Sequence, residues 1–156
     1  MILYHGSTVD IERIDLQKSK PNKDFGRAFY LSANYDQALE MAQFKAEFAE
    51  LPPVVNVYRF DEKLLQEFKY KRFETYTEEW AHFVYNHRTE PQGRTLHNYD
   101  VVFGPIANDT IGAQITRYKQ GYITFEQFLQ GLKYPKGITF QYAFCTQRAI
   151  DKLIKQ

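Results

Sequence analysis

Three polar residues with chemical potential, His5, Tyr30 and Gln141, lie in three separate strand-like stretches. The first is Ile-Leu-Tyr-His-Gly-Ser, Ile2 to Ser7, an apolar run ending in an imidazole beside a glycine. A glycine lets backbone approach a ligand closely because it has no Cβ. Strand ends and the loops after them often carry binding residues. Tyr30 sits within Ala-Phe-Tyr-Leu-Ser, and Gln141 within Ile-Thr-Phe-Gln-Tyr-Ala-Phe. Each also has an ordinary structural reading: His5 as a strand end, Tyr30 as core, Gln141 as a solvated position. Taken together they form a pattern.

Other chemistries find less support. No phosphate-binding glycine loop is present, and the eight glycines are scattered. The single cysteine, Cys145, excludes an internal disulfide and a thiolate zinc site, and its apolar surroundings predict a core residue. His82 and His87 are five apart, which does not place both on one helical face. His87 shares a face with Trp80, Phe83 and Val84 and reads as a buried, hydrogen-bonded histidine, and His97 as a loop residue without a special role. No metal is expected. Ser7 is close to His5, but no Gly-x-Ser-x-Gly elbow surrounds it. Net charge is +1, and the basic run Lys69 to Arg72 reads as a solvated loop, so no nucleic-acid footprint emerges. No stretch approaches the roughly 18 apolar residues of a membrane span. With no signal-peptide pattern either, the expectation is a reducing, cytoplasmic setting without a membrane partner.

The elements that must position these residues follow from pattern. The chain has 156 residues, the size of one domain, with an aromatic share of 17%. A helical turn after Ser7 or Thr8 leads to Ile11, Ile14 and Leu16. Ala28–Leu31 reads as a short strand. Asn34 and Gln37 have capping-box spacing for a helix to about Ala49, ended by Leu51-Pro52-Pro53. Val54–Phe60 reads as a strand, and Asp61 caps a short helix. Thr75 and Glu78 predict a cap for a helix over Glu78–Arg88. Tyr99–Phe103 is a strand, Ala107–Lys119 a helix, and Thr124 with Gln127 a further capping box. Ile138–Phe144 is the last strand, and Thr146 caps a final helix. Irregular mixing of strands and helices predicts one α+β domain over 1–156.

The ordered set resembles the His-Tyr-Glu branch of the ADP-ribosyltransferase superfamily, which includes the poly(ADP-ribose) polymerases. It also resembles a bacterial domain family of otherwise unknown function assigned to that superfamily. The matching pieces are Leu3 to Ser7, Asp24 to Tyr30, Trp80 with Asn86 and Arg88, Tyr99 to Val102, Ala107 to Asp109, and Gln141 to Phe144. The resemblance implies split, mostly antiparallel sheets forming an NAD cleft, with NAD as substrate and no metal. It implies that His5 holds the adenosine-side ribose, that Gly6 offers its backbone to the nicotinamide carboxamide, and that Ser7 lies near the ribose. Tyr30 would stack on the nicotinamide ring. Gln141 stands where many members have the catalytic glutamate. Ser32-Ala33-Asn34-Tyr35 echoes a segment that contacts nicotinamide, which adds Ser32 and Tyr35 to the site. Arg27 is a charge able to meet the pyrophosphate.

Two departures bear on function. Gln141 removes an anion, which disfavours chain-elongating polymer synthesis and leaves mono-transfer, NAD hydrolysis or binding alone. Ala28 replaces the glycine before Phe-Tyr. The expected function is an NAD-dependent mono-ADP-ribosyltransferase acting on an unknown acceptor (protein, nucleic acid or small molecule), in the setting of a bacterial toxin with a cognate antitoxin. The alternatives are a catalytically silent NAD or ADP-ribose binding module and a ribonuclease-type toxin.

Overall fold

The computed structural model describes residues 1–156. Seven strands and five α-helices form an α+β structure around two sheets. Strands β1 (Ile2–Ser7), β3 (Val54–Arg59) and β7 (Ile154–Lys155) make the smaller sheet, antiparallel throughout, in the order β1-β3-β7. Strands β2 (Phe29–Leu31), β6 (Phe140–Phe144), β5 (Val101–Pro105) and β4 (Tyr70–Arg72) make the larger, in the order β2-β6-β5-β4. Only β4 and β5 run parallel. The two sheets meet at one bridge, Tyr4 opposite Ser32.

Side chains on a strand alternate between faces, and both faces of the larger sheet are covered. Val102 and Ala143 face a core containing Trp80, Val84, Phe128 and Leu132. Their neighbours Val101 and Phe144 face a second core with Leu3, Tyr58 and Phe60. The first core takes its large side chains from α2 (Glu78–Thr89) and α4 (Phe125–Leu132), with Ile111 from α3 (Ile111–Lys119). Ala149 and Ile150 of α5 (Gln147–Ile150) join the second.

Helix α1 (Tyr35–Ala49) packs on β1. Asn34 caps it by accepting a hydrogen bond from the Gln37 amide, as its spacing predicts. Ala38 and Ala42 are its buried residues. Tyr35, at its first turn, is exposed. Small residues dominate the contact because the helix backbone comes very close to Gly6.

Several boundaries differ from the sequence reading. Thr77, not Thr75, caps α2, because its hydroxyl accepts from the Trp80 amide. Helix α3 begins at Ile111, because Asn108 uses its amide on the Gly131 and Lys133 carbonyls and holds residues 107–110 as a turn. The turn over Leu16–Lys18 is capped by Asp15, not by Ser7 or Thr8. The basic run around Tyr70 is strand β4, not a loop. Its charged side chains lie over aromatic rings, Lys71 over Phe73 and Arg72 over Phe103. Thr124 and Gln127 do form the complete capping box of α4.

Candidate functional site

The site begins where the two sheets part. Tyr4 and Ser32 exchange both backbone hydrogen bonds, each 2.8 Å. The next pair of an antiparallel ladder would be Gly6 with Tyr30, and it does not form. Instead the Tyr30 carbonyl accepts from His5 Nδ1 at 2.7 Å, and the Gly6 carbonyl accepts from Lys45 Nζ at 2.7 Å. Two side chains take up the carbonyls that the ladder would have paired.

A carbonyl only accepts, so His5 Nδ1 carries the proton and Nε2 is left as an acceptor. The imidazole stacks on Phe29, with ring centroids 4.2 Å apart. Burial, with Lys45 adding repulsion, lowers its pKa to about 4. His5 is therefore neutral at physiological pH. It suits a hydroxyl donor such as a ribose and does not suit the role of general acid.

Gly6 is required by the helix. A Cβ there would lie 2.1 Å from the Ala38 carbonyl oxygen and 2.7 Å from the Ala42 nitrogen. Helix packing thus explains the glycine, where the sequence pointed to ligand access. Its backbone groups remain relevant. Those of Tyr4 point to Ser32, and strand alternation aims those of Gly6, two residues on, at the same edge and into the split.

Tyr30 and Gln141 occupy one face of the larger sheet: Tyr30 lies opposite Ala143, and Gln141 is two residues from Ala143 along β6. The Tyr30 hydroxyl accepts from the Phe25 amide at 2.9 Å and donates to the Gly26 carbonyl at 2.8 Å. Its donor is occupied by the turn at residues 24–26, which leaves the ring as its means of meeting a ligand. Gly26, at φ +86°, permits that turn. The turn sits over β5, because Gly104, opposite Gln141, leaves room for the Phe25 ring. This places Asp24 against Gln141, whose Nε2 donates to Asp24 Oδ2 at 3.2 Å. Asp24 is 6% exposed, and its Oδ1 accepts from Arg88 at 2.6 and 2.7 Å.

His5, Tyr30, Asp24 and Gln141 thus form one connected set. Other expected contacts have local partners. Ser7 Oγ accepts from the Val9 amide. Ser32 is buried, accepts from the Asn34 amide and donates to Gln37, so it braces the start of α1. Arg27 donates to the carbonyls of Gln17 and Ser19, so part of its guanidinium braces a loop where a pyrophosphate contact was expected. Tyr35 stands edge-on to Tyr4 at 5.4 Å.

Asp24, Arg88 and a group of lysines were given no role by the sequence reading. Lys45 has its pKa lowered by burial and then by Lys23 and Lys20. Lys23 is lowered by burial, then by Arg88 and Lys20, and is drawn back by Asp24. Lys23 thus feels the charge of the Asp24–Arg88 pair and is itself felt by Lys45. None of these three lysines forms a salt bridge. The helical position of Lys45, seven residues after Ala38 on the face toward β1, was the one available signal.

The remaining candidates are structural. His97 Nε2 donates to the Phe25 carbonyl, and its Nδ1 accepts from the Tyr99 amide, so this loop histidine supports the turn. His87 is buried and bonded through both nitrogens, as its position predicts. Burial pushes the Cys145 thiol up to about 12, which removes it as a nucleophile. No group of three or more His, Cys, Asp and Glu residues is arranged to hold a metal. No helix is long and apolar enough to cross a membrane.

A family model described as a protein of unknown function (DUF3990) matches residues 1–155. The chain belongs to the DUF3990 family. No curated protein and no solved structure matches it. Within this DUF3990 chain the match spans every residue of the connected set, from His5 to Gln141.

Proposed function

We propose that the chain is an NAD-dependent mono-ADP-ribosyltransferase with an ADP-ribosyltransferase-like split-sheet cleft. The observation that carries this reading is the interrupted β1–β2 ladder. His5 fills the split, the Gly6 backbone faces it, and Tyr30 and Gln141 share the adjoining sheet face. In this reading NAD lies along the split. His5 Nε2 accepts from the adenosine-side ribose, and Ser7 lies near it. The Gly6 carbonyl exchanges Lys45 for the carboxamide NH2. The Tyr30 ring packs on nicotinamide, and Lys20, Lys23 and Lys45 face the diphosphate.

The C1′–N bond of NAD breaks with its electron pair passing to the nicotinamide nitrogen, which becomes neutral. The ribose is left as an oxocarbenium ion. A hydroxyl or amine of the acceptor attacks C1′ and loses a proton. Positioning and electrostatic support of this state are what the site must supply. The acceptor class is a protein, a nucleic acid or a small molecule. A toxin controlled by an antitoxin is the biological setting in keeping with the resemblance.

A silent NAD or ADP-ribose binding module is the second reading, favoured by the amide at Gln141. A ribonuclease built on His5 fares worse, because a neutral imidazole with its one proton on a carbonyl has none to donate. The test is nicotinamide release from NAD by the purified chain. Release is expected to fall at least tenfold in His5→Ala. Undiminished turnover in that variant, or neither binding nor cleavage of NAD by the unaltered chain, rules out the assignment.

A further inference from the structure

We propose that Asp24 is a positioning residue that sets the direction of the Gln141 amide and supplies the buried negative charge that residue 141 lacks. This rests on the NAD reading above. A carboxylate only accepts hydrogen bonds, so the bond at 3.2 Å fixes Gln141 Nε2 toward Asp24 and leaves Oε1 as the free end. Arg88 holds the other carboxylate oxygen through two donors and fixes the rotamer of Asp24. The Phe25 amide and Gly26 carbonyl, both on the Tyr30 hydroxyl, fix the backbone that carries it. The free Oε1 is an acceptor for the 2′-hydroxyl of the nicotinamide ribose. The carboxylate lies one hydrogen bond behind the Gln141 amide, and its charge polarises that amide toward the ribose. The pair divides between two residues the acceptor and the charge that one glutamate side chain would supply.

The arrangement reverses the simplest expectation for residue 141. Gln141→Glu places a second carboxylate against Asp24, and like charges at this distance raise the pKa of one of them and drive the two side chains apart. That variant is therefore expected to release nicotinamide more slowly than the unaltered chain at pH 7, with a rate that rises with pH. In Asp24→Asn, Arg88 keeps the new side-chain oxygen, so its NH2 faces Gln141 and turns that amide round. A donor then replaces the acceptor in the cleft. Release is expected to fall about 30- to 100-fold, in kcat more than in KM. The double variant Asp24→Asn/Gln141→Glu transposes the pair and is expected to recover at least tenfold over the slower single variant, without the pH dependence of Gln141→Glu.

The experiment measures NAD affinity by calorimetry and nicotinamide release for all four proteins, with thermal melts confirming folding. If the unaltered chain binds NAD without cleaving it, the same order is expected in Kd. An unaltered chain that does not bind NAD overturns both this proposal and the reading beneath it. Binding by the unaltered chain, together with an Asp24→Asn variant that matches it in release and affinity, overturns the role of Asp24 alone. So does a double variant no better than the slower single one.

Discussion

The state of His5 decides what this residue can do, and pH exposes it. An ordinary histidine titrates near 6.5, whereas burial and Lys45 bring His5 to about 4. Above pH 6.5 both folded and unfolded chains hold it neutral. Between 6.5 and 4 the unfolded chain takes up a proton that the folded chain refuses, so stability falls as pH falls through that window. His5 accounts for about 3 kcal/mol of the loss. His87 and His97 are also depressed by burial and add to the same slope. Urea unfolding at pH 7 and pH 4.5 is expected to show a smaller difference in His5→Gln than in the unaltered chain. An equal difference would mean that His5 is not held neutral. The identities of His5, Tyr30 and Gln141 were readable as a pattern of types. Their partners were not: Asp24 lies 117 positions from Gln141 and 64 from Arg88, and nothing local in the sequence pairs them.

Among the elements, α1 and β1 are bound by a contact that tolerates no added atom. Gly6→Ala is expected to destabilise the chain by about 3 kcal/mol, because the obstruction is helix backbone and no flexible side chain can yield. Gly112→Ala is the matched control. Nothing lies within 4 Å of a Cβ there, and alanine favours a helix, so stability is expected to hold or rise by up to about 1 kcal/mol. Denaturant midpoints compare the two, and similar midpoints would place the helix farther from β1. Helices with polar caps were readable because Asn34 and Thr124 act within three residues of themselves. Strand β4 was not, because an edge strand tolerates the charges of Lys71 and Arg72 that otherwise mark a loop. Strand β7, two residues long, owes its existence to β3 and carries no pattern of its own.

Across the whole molecule, the mixed order of elements was enough to predict an α+β fold, whereas the division into two sheets was expected only from the resemblance. That division depends on which edges fail to pair, a property of distant contacts. It leaves the Tyr4–Ser32 bridge as the backbone rivet between two sheets that share the second core, with the His5 imidazole beside it. A rivet of two backbone bonds opens more readily than the ladders on either side of it, so its amides should exchange with deuterated water ahead of those within β3 or β6. A dinucleotide spanning the gap would tie the two strand edges together, and protection at the Tyr4 and Ser32 amides should then rise when NAD is added. Exchange there that ignores saturating NAD would mean that the ligand does not cross the seam.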